Sequence, residues 1–258
     1  FGPWANEQRH PDYPDIAPAI YNQDATPYES IMLGFFSVWQ GPENDVCASD
    51  NVIKRNQIMV GHSRDGYSWF REDMNPFHAV NTTSSDAWNQ GNLQSVAGAP
   101  LIVGDKLYFY LSGRRLRGTQ EITTTGLAML RRDGFASMKG TGKLQTSLLK
   151  FDGSYFFVNA NVAGEMKVEL LDSNNKVIEG FSKDDCKVFK GDNVKARIEW
   201  TGNTSLASLK DKQIKVRFYI DNGEIFAFWI SPSTNGESMG YTAGGGPGLN
   251  ISGIDKTN

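Results

Sequence analysis

The chain has 258 residues, 39% of them hydrophobic, and a formal net charge of −3 with pI near 5.7. It is long enough for one large domain or two modest domains with buried cores. Its basic residues are scattered rather than clustered, which argues against a nucleic-acid partner. No run approaches the roughly 18 apolar residues that a membrane-spanning helix needs.

The first segment, FGPWANEQRHPDYPDIAP, is rich in turn-forming residues and begins at Phe1 rather than at Met. It lacks the basic and then apolar pattern of a signal peptide. We interpret the chain as a mature or truncated product whose own N-terminus lies upstream.

Short segments with a period of two follow, rich in β-branched and aromatic residues and bounded by Gly, Asn, Asp or Pro. In chain order they are ESIMLGFFSVW, NQIMVGHS, PLIVGDKLYFYLSG, TGLAMLRR, SYFFVNANV, GEMKVELLD, VKARIEW, QIKVRFYI and EIFAFWIS. The only helical signal is one short turn in SLASLKDK, residues 205–212. The sequence therefore predicts an all-β protein.

An Arg-Asp-Gly-aromatic motif occurs twice, as RDGY at residues 64–67 and RDGF at residues 132–135. In each copy a long apolar strand precedes a polar loop, and a return strand leads to Asp-Gly, which suits a hairpin turn. The spacing of roughly 70 residues is close to that of a propeller blade with long loops. The repeat predicts two successive blades within residues 1–140.

Beyond residue 140 the strands alternate with turn signals spaced as in a β-sandwich. Hairpin turns are expected at Asp152-Gly153, at residues 173–175 and at residues 221–223. We predict a second domain over residues 141–258, with a glycine-rich tail, SMGYTAGGGPGLN, packed against one of the domains. We favour a structural role for this domain over carbohydrate binding by Trp200, Tyr219, Phe226 or Trp229, because aromatic residues that alternate along strands suit an interior face. Cys47 and Cys186 are either an interdomain disulfide or two separate thiols, and the sequence leaves this open.

Taken together, PYESIMLGFFSVW, GHSRDGYSWFRED, NLQSVAGAPLIVGDKLYFYLSGR and GYTAGGGPG are similar to the C-terminal part of secreted, five-bladed β-propeller glycoside hydrolase-like proteins with an appended β-sandwich. These belong to the superfamily of invertase-like and arabinanase-like enzymes. The resemblance implies a central pocket with acidic catalytic residues and a secreted or periplasmic location. Two blades cannot close a propeller, so it also implies that further blades lie upstream or come from another chain.

The resemblance places Glu29, at the head of an apolar strand, where the related enzymes have the general acid. Glycoside hydrolysis usually needs two carboxyl groups, and the partner of Glu29 is expected outside this chain. Asp65 and Asp133 are turn residues, and we do not expect them to be catalytic.

Candidate sugar-binding residues precede or follow the strands at the same end of the two blades. Tyr28, Asn92 and Gln94 can bond sugar hydroxyls, Trp88 can stack on a sugar face, and Arg114 can bind a carboxylate or sulfate bidentately. Trp88 as a simple cover over a loop is an equally open alternative. The expected partner is a carbohydrate.

His10, His62 and His78 do not have metal-ligand spacing, so we expect no metal site among them and no cofactor. Whether calcium or another ion occupies the propeller axis is open. We expect a glycoside hydrolase-like protein that uses carboxylate acid and base catalysis on a polysaccharide or oligosaccharide. The alternative is a carbohydrate-binding module that does not cleave its ligand.

Overall fold

The structure is a computed structural model that describes residues 7–203 and 205–256. Within these ranges 50% of the residues are in strands and 4% in helices, which confirms the predicted all-β class. The strands are β1 (Ala19–Tyr28), β2 (Ile31–Gly41), β3 (Arg55–Ser63), β4 (Asn92–Val96), β5 (Leu101–Val103), β6 (Lys106–Arg117), β7 (Gln120–Arg131), β8 (Met138–Gln145), β9 (Tyr155–Leu171), β10 (Phe189–Ile198) and β11 (Lys215–Ser231). A short helix α1 (Asn44–Asp50) and a 3₁₀ helix (Ala207–Leu209) complete the described elements.

The chain forms two compact units. The first comprises the residues up to Met129 together with Gly240–Ile254, and the second comprises Leu130–Met239 with the residues from Asp255 onward. The glycine-rich tail thus belongs to the first unit. The domain boundary expected at residue 140 lies some residues after this division, inside β8.

The first unit contains a seven-stranded sheet in the order β1-β2-β3-β4-β6-β5, with β7 paired to β6. β1, β2 and β3 form an antiparallel meander, and one parallel contact between Asn56 and Asn92 joins β3 to β4. Phe35 and Phe36 are both buried although adjacent side chains of a strand point to opposite faces. The meander is therefore covered on both faces, as the largely apolar sequence of β2 indicates.

The two Arg-Asp-Gly motifs have different structures. Asp65-Gly66 turns the chain between β3 and Phe70, whose N–H and carbonyl exchange hydrogen bonds of 2.9 and 3.0 Å with His62. Asp133-Gly134 lies in the turn after β7, and the next strand, β8, pairs with β11 of the other sheet. The second motif is thus a connection between the sheets, because a local turn signal does not specify which strands will pair.

The second unit contains a four-stranded antiparallel sheet in the order β10-β9-β11-β8. Its core contains the fully buried side chains of Phe156, Val168, Trp200 and Phe218. The indole N–H of the buried Trp200 donates to the carbonyl of Val168 at 2.9 Å. The chain between the strands covers one face of this sheet with Phe181, Leu206 and other apolar side chains.

Only some of the expected turns of this unit are present. The Asp172 N–H donates to the Lys176 carbonyl at 2.9 Å and the Asn175 N–H donates to the Asp172 carbonyl at 3.1 Å, around a tight turn in which Asn175 has φ 64°, as predicted. The hairpin expected at residues 221–223 is wrong: these residues form an irregularity inside β11, which continues its pairing with β9 and β8 on both sides. Asn222 at φ 45° accommodates the extra residue, as in a β-bulge.

The described residues thus form two sheets, and neither of them closes on itself. The number of propeller blades and the two-layer sandwich stay predictions. Cys47 and Cys186 are free thiols, half-buried and buried respectively, so the disulfide alternative is not realised in this structure.

Candidate functional site

Glu29 lies in the two-residue turn that joins β1 to β2, directly after the pair formed by Tyr28 and Ile31. Its backbone is left-handed, with φ 50°, a conformation that Gly and Asn adopt more readily than Glu. Its N–H donates to the Tyr241 carbonyl at 2.8 Å, and the Tyr241 N–H donates back at 3.1 Å. The backbone of Glu29 is therefore held in place by the C-terminal tail.

The side chain of Glu29 is half-buried and lies against the tail. A Cβ atom added to Gly240 would lie 2.0 Å from Glu29 Oε2, so only glycine fits there without displacing the carboxylate. Tyr28, beside it, is 3% exposed. Access of a ligand to this turn thus depends on the tail as well as on β1.

Asn92 lies at the parallel junction between β3 and β4. Its Oδ1 accepts a hydrogen bond of 2.9 Å from Asn56 Nδ2, and both side chains are fully buried. Within the described residues Asn92 Nδ2 and Asn56 Oδ1 have no hydrogen-bond partner. In this structure the Asn92 amide therefore connects two strands inside the protein.

Gln94 and Arg114 are brought together. Arg114 donates through Nη2 to Gln94 Oε1 and through Nη1 to Glu121 Oε1, the latter at 2.6 Å. These contacts connect β4, β6 and β7, and both Gln94 and Arg114 are half-buried. The arrangement fixes the guanidinium group but already satisfies part of its capacity to bind an anion.

Trp88 is half-buried and packs on the opposite face of β6 from Arg114. Added Cβ atoms on Gly113 and Gly126 would both lie 2.4 Å from its ring atoms, and His78 stacks on it at 5.8 Å between centroids. Because Gly113 and Arg114 are adjacent on one strand, their side-chain directions lie on opposite faces. Trp88 and Arg114 therefore do not contribute to one binding surface.

Asp24 is a candidate functional carboxyl group that the sequence analysis did not identify. It lies on β1, half-buried, and its Oδ2 accepts hydrogen bonds from the Val96 N–H at 3.2 Å and from Asn22 Nδ2 at 3.1 Å. Burial raises the pKa of the Asp24 carboxyl, whereas these two hydrogen bonds oppose the shift. The polar segment AIYNQDATPY contains a proline and has no apolar alternation, so no sequence signal identified β1 as a strand.

Asp24 and Glu29 are separate sites. The four residue steps of extended strand from Asp24 to Tyr28 span about 13 Å. This exceeds the roughly 5 to 9.5 Å that separates the two carboxyl groups of most glycosidases. We therefore do not propose Asp24 as the catalytic partner of Glu29.

His62 and His78 have different surroundings and do not form a metal site. Burial lowers the pKa of His78, which stacks on Trp88, and His62 Nδ1 lies 3.7 Å from Glu72 Oε2. Across residues 7–203 and 205–256, no three His, Cys, Asp or Glu side chains are grouped as a metal site requires.

The helices in these ranges are too short or too polar to cross a membrane.

No protein-family model matches the chain, and no curated protein is significantly similar to it. The similarity to propeller glycoside hydrolases therefore stays a prediction from sequence motifs.

Proposed function

We propose that this chain is part of a secreted or periplasmic glycoside hydrolase-like protein in which Glu29 donates a proton to the leaving group of a polysaccharide or oligosaccharide. The observation that carries the proposal is the left-handed backbone of Glu29. Unfavourable backbone conformations at residues other than Gly and Asn are concentrated at functional sites. A Glu in such a turn costs stability that Asn or Gly would recover, which supports a role for its carboxyl group.

The position of Glu29 also suits a general acid, whose carboxyl group must be held in one orientation toward the substrate. Two backbone hydrogen bonds to Tyr241 fix its main chain, and Gly240 leaves room for the carboxylate. General acid catalysis requires a donor within hydrogen-bond reach of the leaving-group oxygen, so a fixed turn is an advantage. Gln94 and Arg114 are the half-buried polar groups that we propose for sugar recognition.

The second carboxyl group of the reaction must come from elsewhere. Asp24 is too distant from Glu29 to serve, so we propose that the nucleophile or base lies on blades supplied upstream or by another chain. The same blades would complete the propeller. Sequencing and the intact mass of the native polypeptide test this part of the proposal directly.

The second candidate function is carbohydrate binding without cleavage. It is supported by the packing of the Glu29 carboxylate against Gly240, which partly covers the group that would donate the proton. The two functions differ in what they predict for a neutral substitution at residue 29.

The test uses the native full-length polypeptide with a panel of polysaccharides and compares Glu29→Gln with the exposed control Glu43→Gln. We expect Glu29→Gln to lower kcat by about 10²-fold or more while sugar binding is retained, because an amide cannot donate the proton. Glu43→Gln should leave kcat unchanged. Full activity of Glu29→Gln would exclude Glu29 as the acid, and binding without hydrolysis by the wild type would favour the second function.

Glu29→Asn provides an independent readout. Asn accepts a left-handed backbone, so the free energy of unfolding should rise by about 0.5 to 1 kcal/mol while hydrolysis is lost. A destabilised Glu29→Asn variant would indicate that contacts of the Glu29 side chain stabilise the turn, and the argument from strain would fail.

A further inference from the structure

One face of the sheet in the second unit has basic side chains grouped around Tyr219. Tyr219 on β11 pairs with Lys143 on β8 and with Lys167 on β9, and directly paired residues point to the same face. The ammonium groups of Lys143 and Lys183 lie 5.3 and 5.2 Å from the centre of the Tyr219 ring. We call Lys143, Lys167, Lys183, Arg217 and Tyr219 the basic patch.

The positive charge of the basic patch is only partly compensated. Arg217 Nη1 and the Tyr219 hydroxyl both donate to Glu169 Oε1 at 2.7 Å, and Glu169 is 4% exposed. The Glu169 carboxylate is thus paired with Arg217. Within the described part of the chain, the ammonium groups of Lys143, Lys167 and Lys183 form no ion pair.

The positive charges are also close together. Because the ammonium groups of Lys143 and Lys183 lie 5.3 and 5.2 Å from the same ring centre, they are at most about 10.5 Å apart, close to one Debye length at 0.1 M salt. An anion bound beside both ammonium groups would relieve their mutual repulsion. The ring of Tyr219 attracts both cations and keeps them at the same place on the sheet.

Carboxylates border the basic patch at both ends along the strands, because Glu169 is paired with Arg217 at one end. Glu165 precedes Lys167 by two residues on β9, and Asp221 follows Tyr219 by two residues and accepts a hydrogen bond from Thr141. In the other direction along β11 lies Lys215, whose ammonium group donates to the neutral Asn175 Oδ1 at 2.6 Å. A bound anion is therefore favoured beside the ammonium groups of Lys143, Lys167 and Lys183 rather than at Arg217, whose charge Glu169 balances.

We propose that the basic patch binds an anionic polysaccharide through its carboxylate or sulfate groups. The cations extend over three adjacent strands, a width of about 10 Å, which suits a chain with repeated charges better than one small anion. The half-buried Tyr219 ring supplies apolar surface beside the cations, as a sugar ring with a charged substituent requires. The Tyr219 ring with its two neighbouring ammonium groups matches a sugar ring that carries a charged substituent, so an acidic polysaccharide is the occupant that we assign, and nucleic acid is an outcome of the test.

This site is independent of Glu29 and does not rest on the proposed hydrolysis. A protein with both sites would hold an acidic polysaccharide through its second unit. Glu29→Gln should therefore leave binding at the basic patch unchanged.

The experiment measures binding of the native polypeptide to dextran sulfate, polygalacturonate and neutral dextran by calorimetry at two salt concentrations. The double variant Lys143→Gln/Lys183→Gln is compared with Lys54→Gln/Lys106→Gln, which has the same net charge but changes the first unit. We expect binding to at least one acidic polysaccharide, weakened about fivefold or more in the patch variant and less than twofold in the control. Circular dichroism and thermal unfolding establish that both variants are folded.

Four results would overturn the proposal. Equal weakening in both variants would mean that overall charge alone attracts the polysaccharide. Absence of binding to both acidic probes, or equal binding to neutral dextran, would exclude an anion-specific surface. Tighter binding of a single-stranded oligonucleotide that depends on Lys143 and Lys183 would assign the patch to nucleic acid instead.

Discussion

At the residue scale, the turn at Asp65 shows how far local sequence can determine structure. The backbone N–H groups of Tyr67 and Ser68 donate to Asp65 Oδ1 at 2.8 and 2.7 Å, and the Ser63 hydroxyl donates to the same oxygen at 3.0 Å. All partners lie within three residues, so the motif SRDGYS encodes the turn by itself. The prediction that Asp65 is a turn residue is therefore confirmed.

These hydrogen bonds give Asp65 a defined pH dependence. They lower the pKa of its carboxyl from 3.8 to about 2, with the Ser68 and Tyr67 N–H groups as the main causes. Since the folded-state pKa is below the unfolded value, the stabilisation by Asp65 is present above about pH 4 and is lost as the pH falls toward 2. Unfolding titrations of the wild type and Asp65→Asn should thus differ at pH 6 and converge near pH 2.

The exposed Asp73 provides a control, because its Oδ1 accepts one backbone hydrogen bond, from the Asn75 N–H, whereas Asp65 Oδ1 accepts two. Asp73→Asn should show a smaller change with pH. A constant difference between the wild type and Asp65→Asn across this pH range would contradict the assignment.

At the element scale, pairing decides which residues share a strand. SYFFVNANV and GEMKVELLD, read as two strands, form the single strand β9, and QIKVRFYI and EIFAFWIS form β11. Turn signals between them become irregularities of a continuous ladder, because β9 and β11 pair along almost their whole length. Local propensity could not indicate this, since the partners are distant in sequence.

The packing of Trp88 between strands changes its interpretation from a sugar-stacking residue to a core contact. Its ring lies against Gly126 of β7, so Gly126→Ala should lower the free energy of unfolding by about 1 to 3 kcal/mol through overpacking. In a Trp88→Ala background the same substitution should cost much less. A double-mutant cycle followed by urea unfolding measures this interaction energy, expected to be at least about 1 kcal/mol.

Additive effects in that cycle would mean that the ring is not packed on β7. Trp88 would then again be a candidate for stacking on a sugar. Trp69, whose ring lies against Gly34, allows the same cycle to be repeated in the β1–β3 meander as a reference.

At the scale of the whole molecule, the tail of the chain belongs to the first unit although the second unit precedes it in sequence. The Ile102 N–H donates to the Gly245 carbonyl at 2.8 Å, and Tyr241 pairs with Glu29. Residues 240–254 therefore contribute to the turn that holds the candidate acid. Any truncation of the tail is expected to affect Glu29.

Gly246 tests this role of the tail. A Cβ atom added there would lie 1.9 Å from the Ile102 carbonyl oxygen, so Gly246→Ala should displace the tail. Hydrogen exchange should then accelerate at the Glu29 and Ile102 amides and stay unchanged at the Trp200 amide of the second unit. Gly244→Ala is the matched control, because its added methyl would be 3.2 Å from a Leu101 side-chain carbon that can move.

Equal acceleration in both units would instead show that the molecule unfolds as one cooperative body. No change at Glu29 would mean that its turn is stable without the tail.

The sequence by itself determined the all-β class, most of the apolar strands and the tight turns at Asp65 and Asn175, because these depend on alternation and on contacts within a few residues. Only the tertiary structure decided that β1 is a strand, that Asp24 meets Val96, that Trp88 packs on β6 and β7, and that the tail holds Glu29. Each of these depends on pairing or packing between distant segments. Such contacts are fixed by the simultaneous satisfaction of backbone hydrogen bonds and burial across the whole sheet, which no single segment encodes.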